Sequence, residues 1–515
     1  MSELQDEGKV GGAPEATDAP GTSPIDPSGE LRALASDCVH CGFCLPVCPT
    51  YQLWGEEMDS PRGRIHLITQ ILDGAPGTEA AASHLDRCLG CMACVPACPS
   101  GVRYDRLIES AREWGEQAGP STAGPTEPAG TTVPAGTTVP AGTTVSGGTG
   151  EPPGTSGLPG TTEPPGTTAT AGPARALPVR SRRERAIRRA IFETFPYPGR
   201  LRLLMGPLRV TQRAGADRRL GRSGLATRLA PELTAALRIA PPPASRSARG
   251  TRLPERIPAR GPRRAVVGML TGCVQQVFFP DVNAATARVL AAEGCDVIVA
   301  RGQTCCGALS LHGGRRAEAA AFARHTIEVF EQAGVDALVV NAAGCGSAMK
   351  EYGQLLAGEP GWADRAAALS ARVADFSEFL AGIGPAAPRQ PLPLTVVYQD
   401  ACHLAHAQRI TRQPRELLGT IPDLTLAEIG DGGVCCGSAG IYNLVQPEAA
   451  GQLGARKAER VAATGAQLLV SANPGCAMQI GAALRDQGAP MPVAHIAQVL
   501  DASLRGLPAE GLLGL

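Results

Sequence analysis

The chain has 515 residues, too many for one hydrophobic core, so two to four domains are expected. Its 48 basic residues balance 48 acidic residues, which argues against a nucleic-acid-binding protein, because such proteins carry a surplus of positive charge. No run approaches ~18 apolar residues, so no membrane-spanning helix is expected. The first thirty residues include seven acids and no apolar stretch, which excludes a secretory signal and indicates a cytoplasmic protein. In that compartment the 17 cysteines point to ligation rather than to disulfides.

Residues 1–30 are predicted to form a disordered tail, because they are acidic and poor in apolar side chains. From residue 31 to 117 the composition is that of a folded domain. Ser60-Pro61 begins an amphipathic stretch that ends at Asp73-Gly74, and a Ser cap followed by Pro predicts a helix between these points. A second helix is predicted from Tyr104 to Trp114.

Two cysteine runs lie in this first domain. In each run three cysteines are spaced two residues apart and a fourth precedes a proline: Cys38, Cys41, Cys44 and Cys48, then Cys88, Cys91, Cys94 and Cys98. In ferredoxins with two clusters, the fourth cysteine of each run ligates the other cluster. We therefore predict two [4Fe–4S] clusters, the first held by Cys38, Cys41, Cys44 and Cys98, the second by Cys88, Cys91, Cys94 and Cys48. Structural zinc is the alternative, but it usually combines two Cys-x-x-Cys pairs from separate loops. The 39 residues between the runs favour an α-helical ferredoxin domain that carries single electrons.

Two segments of unusual composition follow. Residues 118–175 are dominated by Thr, Pro, Gly and Ala, with the hexapeptide Pro-Ala-Gly-Thr-Thr-Val three times over at 128–145, and are predicted to be a disordered linker. Residues 176–261 are predicted to be an Arg-rich helical connector, since 175–264 contain 23 Arg against 5 acids. Its basic face would suit an anionic membrane or an acidic partner. Alternatively it is a solvated helical connector. Its arginines would then reflect a preference for Arg over Lys throughout the chain, which has only three lysines.

From residue 262 onward the pattern alternates between strands and helices. Short apolar runs are predicted as strands at 265–270, 296–300, 337–340, 394–398 and 467–470, which indicates parallel sheets with crossover helices. Cysteines recur at intervals of 129, 130 and 131 residues, and this repeat defines two Cys-Cys-Gly modules, at 262–385 and 386–505, before a tail at 506–515. The predicted fold is thus multidomain α+β, an α-helical ferredoxin domain followed by two tandem α/β modules.

Each module repeats a set of four cysteines: Cys273, Cys305, Cys306 and Cys345 in the first, and Cys402, Cys435, Cys436 and Cys476 in the second. They follow predicted strands, whose carboxyl ends share one edge of a parallel sheet, so the four thiols are expected to converge. Gly307 and Gly437 would permit the tight turn after each Cys-Cys pair. Three interpretations stay open: a metal or further Fe–S site, a redox-active thiol or disulfide site, and inert core cysteines. The repetition argues against the third, whereas Cys295 has no counterpart and is predicted to lie in the core.

Three other side chains stand near these cysteines in sequence. His403 is a candidate ligand or proton carrier, with a helix-cap or core role as the alternative. Tyr442 and Asn443 follow the second Cys-Cys-Gly and are candidates to border a partner or a quinone.

These motifs carry a resemblance to a known family. Asp37-Cys-Val-His-Cys-Gly-Phe-Cys-Leu-Pro-Val-Cys-Pro-Thr-Tyr51, Ser60-Pro-Arg-Gly-Arg-Ile65 and Cys435-Cys-Gly-Ser-Ala-Gly-Ile-Tyr-Asn-Leu444 resemble the iron–sulfur subunit of bacterial glycolate oxidase. The resemblance implies an oxidoreductase complex that converts glycolate to glyoxylate. In it an FAD-binding subunit removes the electrons, and this chain passes them to a quinone or another membrane-side acceptor, as a cytoplasmic protein or one peripheral on the inner face of the membrane. Consistently, no Gly-x-Gly-x-x-Gly follows a predicted strand.

The chain is also similar to the lactate-utilisation and anaerobic glycerol-3-phosphate dehydrogenase proteins, so lactate and glycerol 3-phosphate are the alternative substrates. The modules also resemble those of heterodisulfide reductase subunits, where the last element is Cys-x-x-Cys. Here that element is Cys345-Gly-Ser-Ala and Cys476-Ala-Met-Gln, so disulfide reduction through a five-cysteine cluster is not expected. A thiol-active reductase subunit is the remaining alternative, and four thiols per module could still hold an ordinary cluster.

Overall fold

The computed structural model describes residues 25–26, 28–117, 177–216, 223–241, 253–430 and 433–514, without the side chains of 225–227. The predicted linker at 118–175 and nearly all of the predicted tail lie outside these ranges. Within them, no helix is long and apolar enough to cross a membrane.

The first domain is helical. Its helices are α1 Glu30–Ser36, α2 Pro49–Trp54, α3 Pro61–Leu72, α4 Glu79–Asp86, α5 Cys94–Ala97 and α6 Tyr104–Gln117, with a 3₁₀ turn at Glu57–Asp59. Both predicted helices are confirmed. The Ser60 hydroxyl caps α3 by accepting the Gly63 N–H at 3.0 Å, and the second helix, α6, continues one turn beyond Trp114. Order also extends into the predicted tail, because the carboxylate of the buried Asp26 accepts the Arg32 N–H at 3.0 Å.

The Arg-rich connector is helical, as predicted. It forms α7 Arg182–Thr194, α8 Pro198–Arg213, α9 Gly224–Leu229 and α10 Pro231–Ile239. It is not solvated throughout, because the Arg188 guanidinium is buried and donates to the Gly313 carbonyl at 2.7 Å and to Glu116 at 2.6 Å. The end of the predicted connector forms a strand, β1 Arg256–Ile257, that pairs antiparallel with the sheet of the first module.

The first module contains a five-stranded sheet. Its other strands are β2 Ala265–Leu270, β3 Cys295–Ile298, β4 Ala337–Val340 and β5 Val373–Asp375, in the order β1-β3-β2-β4-β5, and all but β1 pair in parallel. The helices around it are α11 Gln275–Phe278, α12 Pro280–Ala292, α13 Ala308–His312, α14 Arg316–Ala333, α15 Ala343–Lys350, α16 Tyr352–Leu355, α17 Ala363–Ser370 and α18 Phe376–Ile383.

The second module repeats this arrangement with a four-stranded parallel sheet. Its strands are β6 Leu394–Gln399, β7 Leu424–Ala427, β8 Leu468–Ser471 and β9 Val493–Ala494, in the order β7-β6-β8-β9. A π-helical turn at His403–Ala407 follows β6, and the helices are α19 Arg412–Gly419, α20 Tyr442–Val445, α21 Pro447–Ala462, α22 Pro474–Asp486, α23 Ile496–Leu504 and α24 Glu510–Leu513.

The two modules share a hydrophobic core. Val267, Leu290, Val396 and Val499, all completely buried, belong to one cluster that includes strands and helices of both modules. Across the same interface the carboxylate of Glu293 accepts from the buried Arg389 guanidinium at 2.6 Å. Helix α24 lies in the predicted tail, yet its leucines pack against this core, so the second module continues past residue 505.

Candidate iron–sulfur and thiol sites

Cysteines of both runs line a first cavity, which we call the first cysteine cavity: Cys38, Cys41, Cys44 and Cys98. The loop that carries the first three reverses direction through left-handed backbone at His40 (φ 52°) and Gly42 (φ 86°). This loop lies at the surface. Its apolar side chains Val39 and Phe43 are 68% and 64% exposed, and Cys41 is exposed as well.

A second cysteine cavity adjoins the first and is lined by Cys48, Cys88, Cys91 and Cys94, all of them buried. Its loop has left-handed backbone at Gly90 (φ 64°) and Met92 (φ 60°), the same two positions as in the first loop. Cys94 borders both cavities. The fourth cysteine of each run leaves its own loop and lines the cavity of the other run. Cys98 lines the first cysteine cavity, and Cys48 lines the second.

A buried arginine supports the second cysteine cavity. Arg64 is 1% exposed, and its guanidinium donates to the Thr50 hydroxyl at 3.2 Å and to the Asp59 carboxylate at 3.3 Å. His84 and Arg87 also contact Asp59, at 3.0 Å and 3.1 Å. The two guanidiniums of Arg64 and Arg87 therefore face one carboxylate, and this surplus of positive charge can compensate thiolate charge.

The pKa values of the cavity thiols follow from these neighbours. Burial by itself would raise the pKa of Cys88, but it is lowered because the Arg64 and Arg112 guanidiniums and the Tyr104 hydroxyl stabilise its thiolate. Burial and the neighbouring thiolates raise the pKa of Cys91 and Cys94 well above the ordinary value. Four thiols in one buried space ionise together only if cations neutralise them.

This donor set fits iron–sulfur clusters better than a single ion. Among the described residues, no three or more His, Cys, Asp or Glu side chains converge closely enough to hold one metal ion. The cysteines instead surround spaces between two loops, as the ligands of a cubane do. A zinc site would require four of them to meet at one point.

The four cysteines of the first module converge at the carboxyl ends of its strands. Cys273 Sγ and Cys305 Sγ are 3.6 Å apart. Hydrogen bonds from the thiols of Cys305 and Cys345 lower the pKa of Cys306 well below its ordinary value. The first module thus has four linked thiols, as predicted from the topology.

The second module repeats this network. Hydrogen bonds from Cys435 and Cys476 lower the pKa of Cys436, and one from Cys435 lowers that of Cys402 against the effect of burial. His403 Nδ1 lies 3.5 Å from Cys402 Sγ, so the histidine contacts the thiol network. None of the 17 cysteines, all of which lie within the described residues, forms a disulfide.

The structure explains why each Cys-Cys pair is followed by glycine. Gly307 and Gly437 have φ angles of 82° and 87°, where side chains are strained. A Cβ at these positions would lie 2.9 Å from the Ala319 carbonyl oxygen and 2.7 Å from that of Ala450. The turn and the close approach to a helix therefore both require glycine, at equivalent places.

The thiols of the second module lie beside the second cysteine cavity. Leu89, Cys91 and Ala93 pack in one buried cluster with Cys402 and Cys435. The charge of Cys402 also contributes to the raised pKa of Cys91.

Two other candidate residues do not belong to the thiol sites. Cys295 is completely buried in the shared core on β3, as predicted, and Asn443 is a structural residue whose amide donates to Gln479 at 3.2 Å.

Sequence reasoning missed three residues around these sites. Arg64 lies in the Ser60-Pro-Arg-Gly-Arg-Ile65 motif, but only its burial reveals a role. Arg112 donates to the Cys88 carbonyl and, at 2.9 Å, to the His312 carbonyl, so it joins the ferredoxin domain to the first module. His312 Nδ1 lies 3.0 Å from Glu109, and the His312 ring packs on that of His403 with centroids 4.8 Å apart.

Three family models match the chain. A 4Fe-4S dicluster domain matches residues 34–102, a cysteine-rich domain matches 267–350 and 396–481, and the glycolate oxidase iron-sulfur subunit linker region matches 183–240. The chain is 33% identical to a probable glycolate oxidase iron-sulfur subunit of Bacillus subtilis, over 90% of this chain and 93% of that protein. This chain belongs to the glycolate oxidase iron–sulfur subunit family. The family's Escherichia coli member is also 33% identical, over 88% of this chain and 93% of that one.

Lactate utilization protein A is a more distant relative. The protein of that name from Exiguobacterium is 31% identical over 98% of its own length but only 46% of this chain. Membership of the family makes this chain an electron-carrying component of an oxidoreductase complex that binds iron–sulfur clusters.

Proposed function

We propose that this chain is the electron-transfer subunit of a glycolate dehydrogenase complex. It would take electrons from an FAD-binding subunit that oxidises glycolate to glyoxylate, and pass them to a quinone. The observation that carries the proposal is the pair of adjoining cysteine cavities in a chain of this family. Two [4Fe–4S] clusters held there would each accept and release one electron at a time.

The proposed ligands are those predicted from the spacing. Cys38, Cys41, Cys44 and Cys98 would hold the first cluster, and Cys88, Cys91, Cys94 and Cys48 the second. The support is the lining of the two cavities, together with buried arginine charge at the second. The chain's part is to compensate the thiolates, shield the second site from water and keep the two sites adjacent.

The difference in exposure between the two cavities suggests the direction of transfer. The first loop presents the exposed apolar residues Val39 and Phe43 around an exposed cysteine, whereas all four cysteines of the second cavity are buried. Exposed apolar patches commonly mark protein contacts. We therefore assign the first loop to the contact with the FAD-binding subunit, and the second cavity to the next step inward.

The Cys-Cys-Gly thiols are proposed as ligands of further Fe–S clusters. The second module is the stronger case, because its thiols pack against the second cysteine cavity. Replacing Cys436 or Cys306 by Ser distinguishes the possibilities. Loss of bound iron would indicate ligation, whereas loss of thiol exchange with iron retained would indicate a redox-active thiol.

We also propose that the complex works at the cytoplasmic face of the membrane. Helix α8 exposes Leu203 and Leu204, which are 78% and 56% exposed, among the arginines of the connector. This combination suits an anionic lipid surface.

The function is tested by growth and by spectroscopy. A strain lacking this chain should fail on glycolate while growing on lactate and on glycerol, and normal growth on glycolate would contradict the substrate assignment. In the purified complex, glycolate should produce the EPR signal of reduced clusters that dithionite produces. A signal with dithionite but none with glycolate would exclude the relay.

A further inference from the structure

A cavity of about 440 Å³ lies where the ferredoxin domain, the connector and both modules meet. It is separate from the two cysteine cavities. Leu89, His312, His403 and Tyr442 are among the residues that line it. The connector supplies a wall from Pro178 to Arg188, so the part of the chain with the most unusual composition helps to enclose a space.

Three buried polar atoms at this cavity have no hydrogen-bond partner among the described residues: His312 Nε2, His403 Nε2 and Tyr442 Oη. The other ring nitrogen of each histidine is engaged, with Glu109 at 3.0 Å and with Cys402 Sγ at 3.5 Å. Burial raises the pKa of Tyr442, so its hydroxyl stays protonated and can donate. Buried polar atoms are normally satisfied, so these three indicate a polar ligand. The Tyr442 hydroxyl can donate to it, whereas His312 Nε2 can accept from it, because a neutral imidazole that donates through Nδ1, here to the Glu109 carboxylate, keeps Nε2 as its acceptor.

The charges around the cavity cancel. Its charged lining residues are Glu79, Asp86, Glu184 and Glu232 against Arg112, Arg180, Arg183 and Arg188. Several are paired with each other, Arg180 with Asp86 at 2.8 Å and Arg183 with Glu232 at 2.8 Å. A phosphate or carboxylate ligand would require surplus positive charge, whereas this lining, with Leu309, Ile441 and Val445, suits an uncharged ring.

The floor of the cavity adjoins the proposed electron route. Leu89 lies between Cys88 and Cys91 in the loop of the second cysteine cavity, and His403 follows Cys402 of the second module. Arg112 both lines the cavity and donates to the Cys88 carbonyl. A molecule bound here would therefore lie next to the ligand loop of the second cavity and next to the second module's thiols.

Part of the cavity lining is open to solvent. Arg183 and Glu79 are exposed lining residues. Glu232, also a lining residue, lies between Leu229 and Leu233 in sequence, which are 71% and 60% exposed. An exposed apolar patch on this segment would suit contact with a lipid surface.

We propose that this cavity binds the ring of a quinone, one oxygen of which accepts a hydrogen bond from the Tyr442 hydroxyl. Once the ring is reduced to the quinol, a hydroxyl on it donates to His312 Nε2. The proposal rests on the proposed function, since it identifies where the electrons leave. Reduction of the quinone to the quinol takes two electrons and two protons. Oxidation of one glycolate releases two of each, with the electrons arriving singly through the chain and the protons entering from solvent where the lining is open to it.

The test compares two buried tyrosines in the intact complex. Tyr442→Phe removes a hydroxyl that lines the cavity, and Tyr398→Phe removes one that is also buried and unpartnered but lies in the shared core. Binding of decylubiquinone is measured by calorimetry without glycolate, and the quinone KM is measured with it. We expect Tyr442→Phe to weaken binding about fivefold and to raise the KM correspondingly, whereas Tyr398→Phe changes neither. We expect His312→Leu, which removes the acceptor nitrogen, to weaken the binding of decylubiquinol to a similar extent.

Three results would overturn the proposal. The first is that the wild-type complex shows no saturable quinone binding, as expected if the cavity holds only water. The second is that both cavity variants bind with the affinity of the wild type. The third is that Tyr398→Phe loses as much quinone affinity as Tyr442→Phe. Iron content, measured in every variant, identifies a folding defect. The proposed function fails separately, if glycolate does not reduce the clusters of a wild-type complex that does bind quinone.

Discussion

Pairs of cysteine substitutions test whether the two runs exchange their fourth ligand. Cys41 and Cys98 belong to different runs but line the same cavity, whereas Cys41 and Cys48 belong to the same run but line different cavities. Alanine is used in both pairs because it offers no ligating atom. Cys295→Ala is the control, since that cysteine is buried in the shared core away from both cavities.

The magnitudes follow from the cavity lining. Each single substitution, Cys41→Ala or Cys91→Ala, should remove about four iron atoms per chain, one cluster. The pair Cys41→Ala with Cys98→Ala should also remove about four, because both ligands serve one cluster. The pair Cys41→Ala with Cys48→Ala should remove about eight, because each cluster loses a ligand. The control should retain all of its iron.

The assay is iron and acid-labile sulfide on anaerobically purified protein, with circular dichroism to confirm folding. Reporting each value as a difference from wild type cancels any iron in the Cys-Cys-Gly modules. The reverse pattern, about eight atoms lost from the first pair and about four from the second, would show that each run holds its own cluster. The crossed arrangement would then be wrong.

Three further predictions concern the packing, the pH dependence of stability and the Cys-Cys-Gly turn. Glu293→Ala leaves its arginine partner buried and unpaired and should cost about 3–5 kcal/mol in urea denaturation, whereas Glu193→Ala, in an exposed ion pair, should leave the midpoint unchanged. Burial lowers the pKa of His495 to about 4, so stability should fall as the pH drops from about 6.5 to about 4, by about 3 kcal/mol in total. His495→Asn should flatten this dependence, and an unchanged slope would contradict it. Gly437→Ala should lower the iron content and the stability. Gly451→Ala should stabilise the protein slightly, because a Cβ there meets open space in a helix. Equal effects of the two substitutions would refute the argument that the turn after Cys436 requires glycine.

The elements predicted best from the sequence are those with local chemical signals. Ser60 and Pro61 define the start of α3, and the strands β2 and β4 have the predicted bounds, because six and four apolar residues are enclosed by turns. Strands β3 and β8 are displaced by a residue or two. Strands β5 and β9 are only three and two residues long, too short for a periodic pattern, and β1 is recognised only through its pairing with β3.

The candidate sites divide in the same way. The spacing within each cysteine run is a local property, and the convergence of the Cys-Cys-Gly thiols follows from the topology of parallel sheets. In contrast, His312, His403 and Tyr442 come from three separate segments, and only the packing of the connector and both modules brings them to one cavity. Arg64 is likewise one arginine among many in the sequence, and its burial against Asp59 is visible only in the fold.

The most direct test of the electron-transfer role is spectroscopy on the anaerobic complex with its FAD-binding subunit. Glycolate should convert both clusters of this chain to their EPR-active reduced form, and a quinone added afterwards should abolish the signal. If a preparation of this chain without iron supports glycolate oxidation by quinone at the wild-type rate, the chain does not carry the electrons.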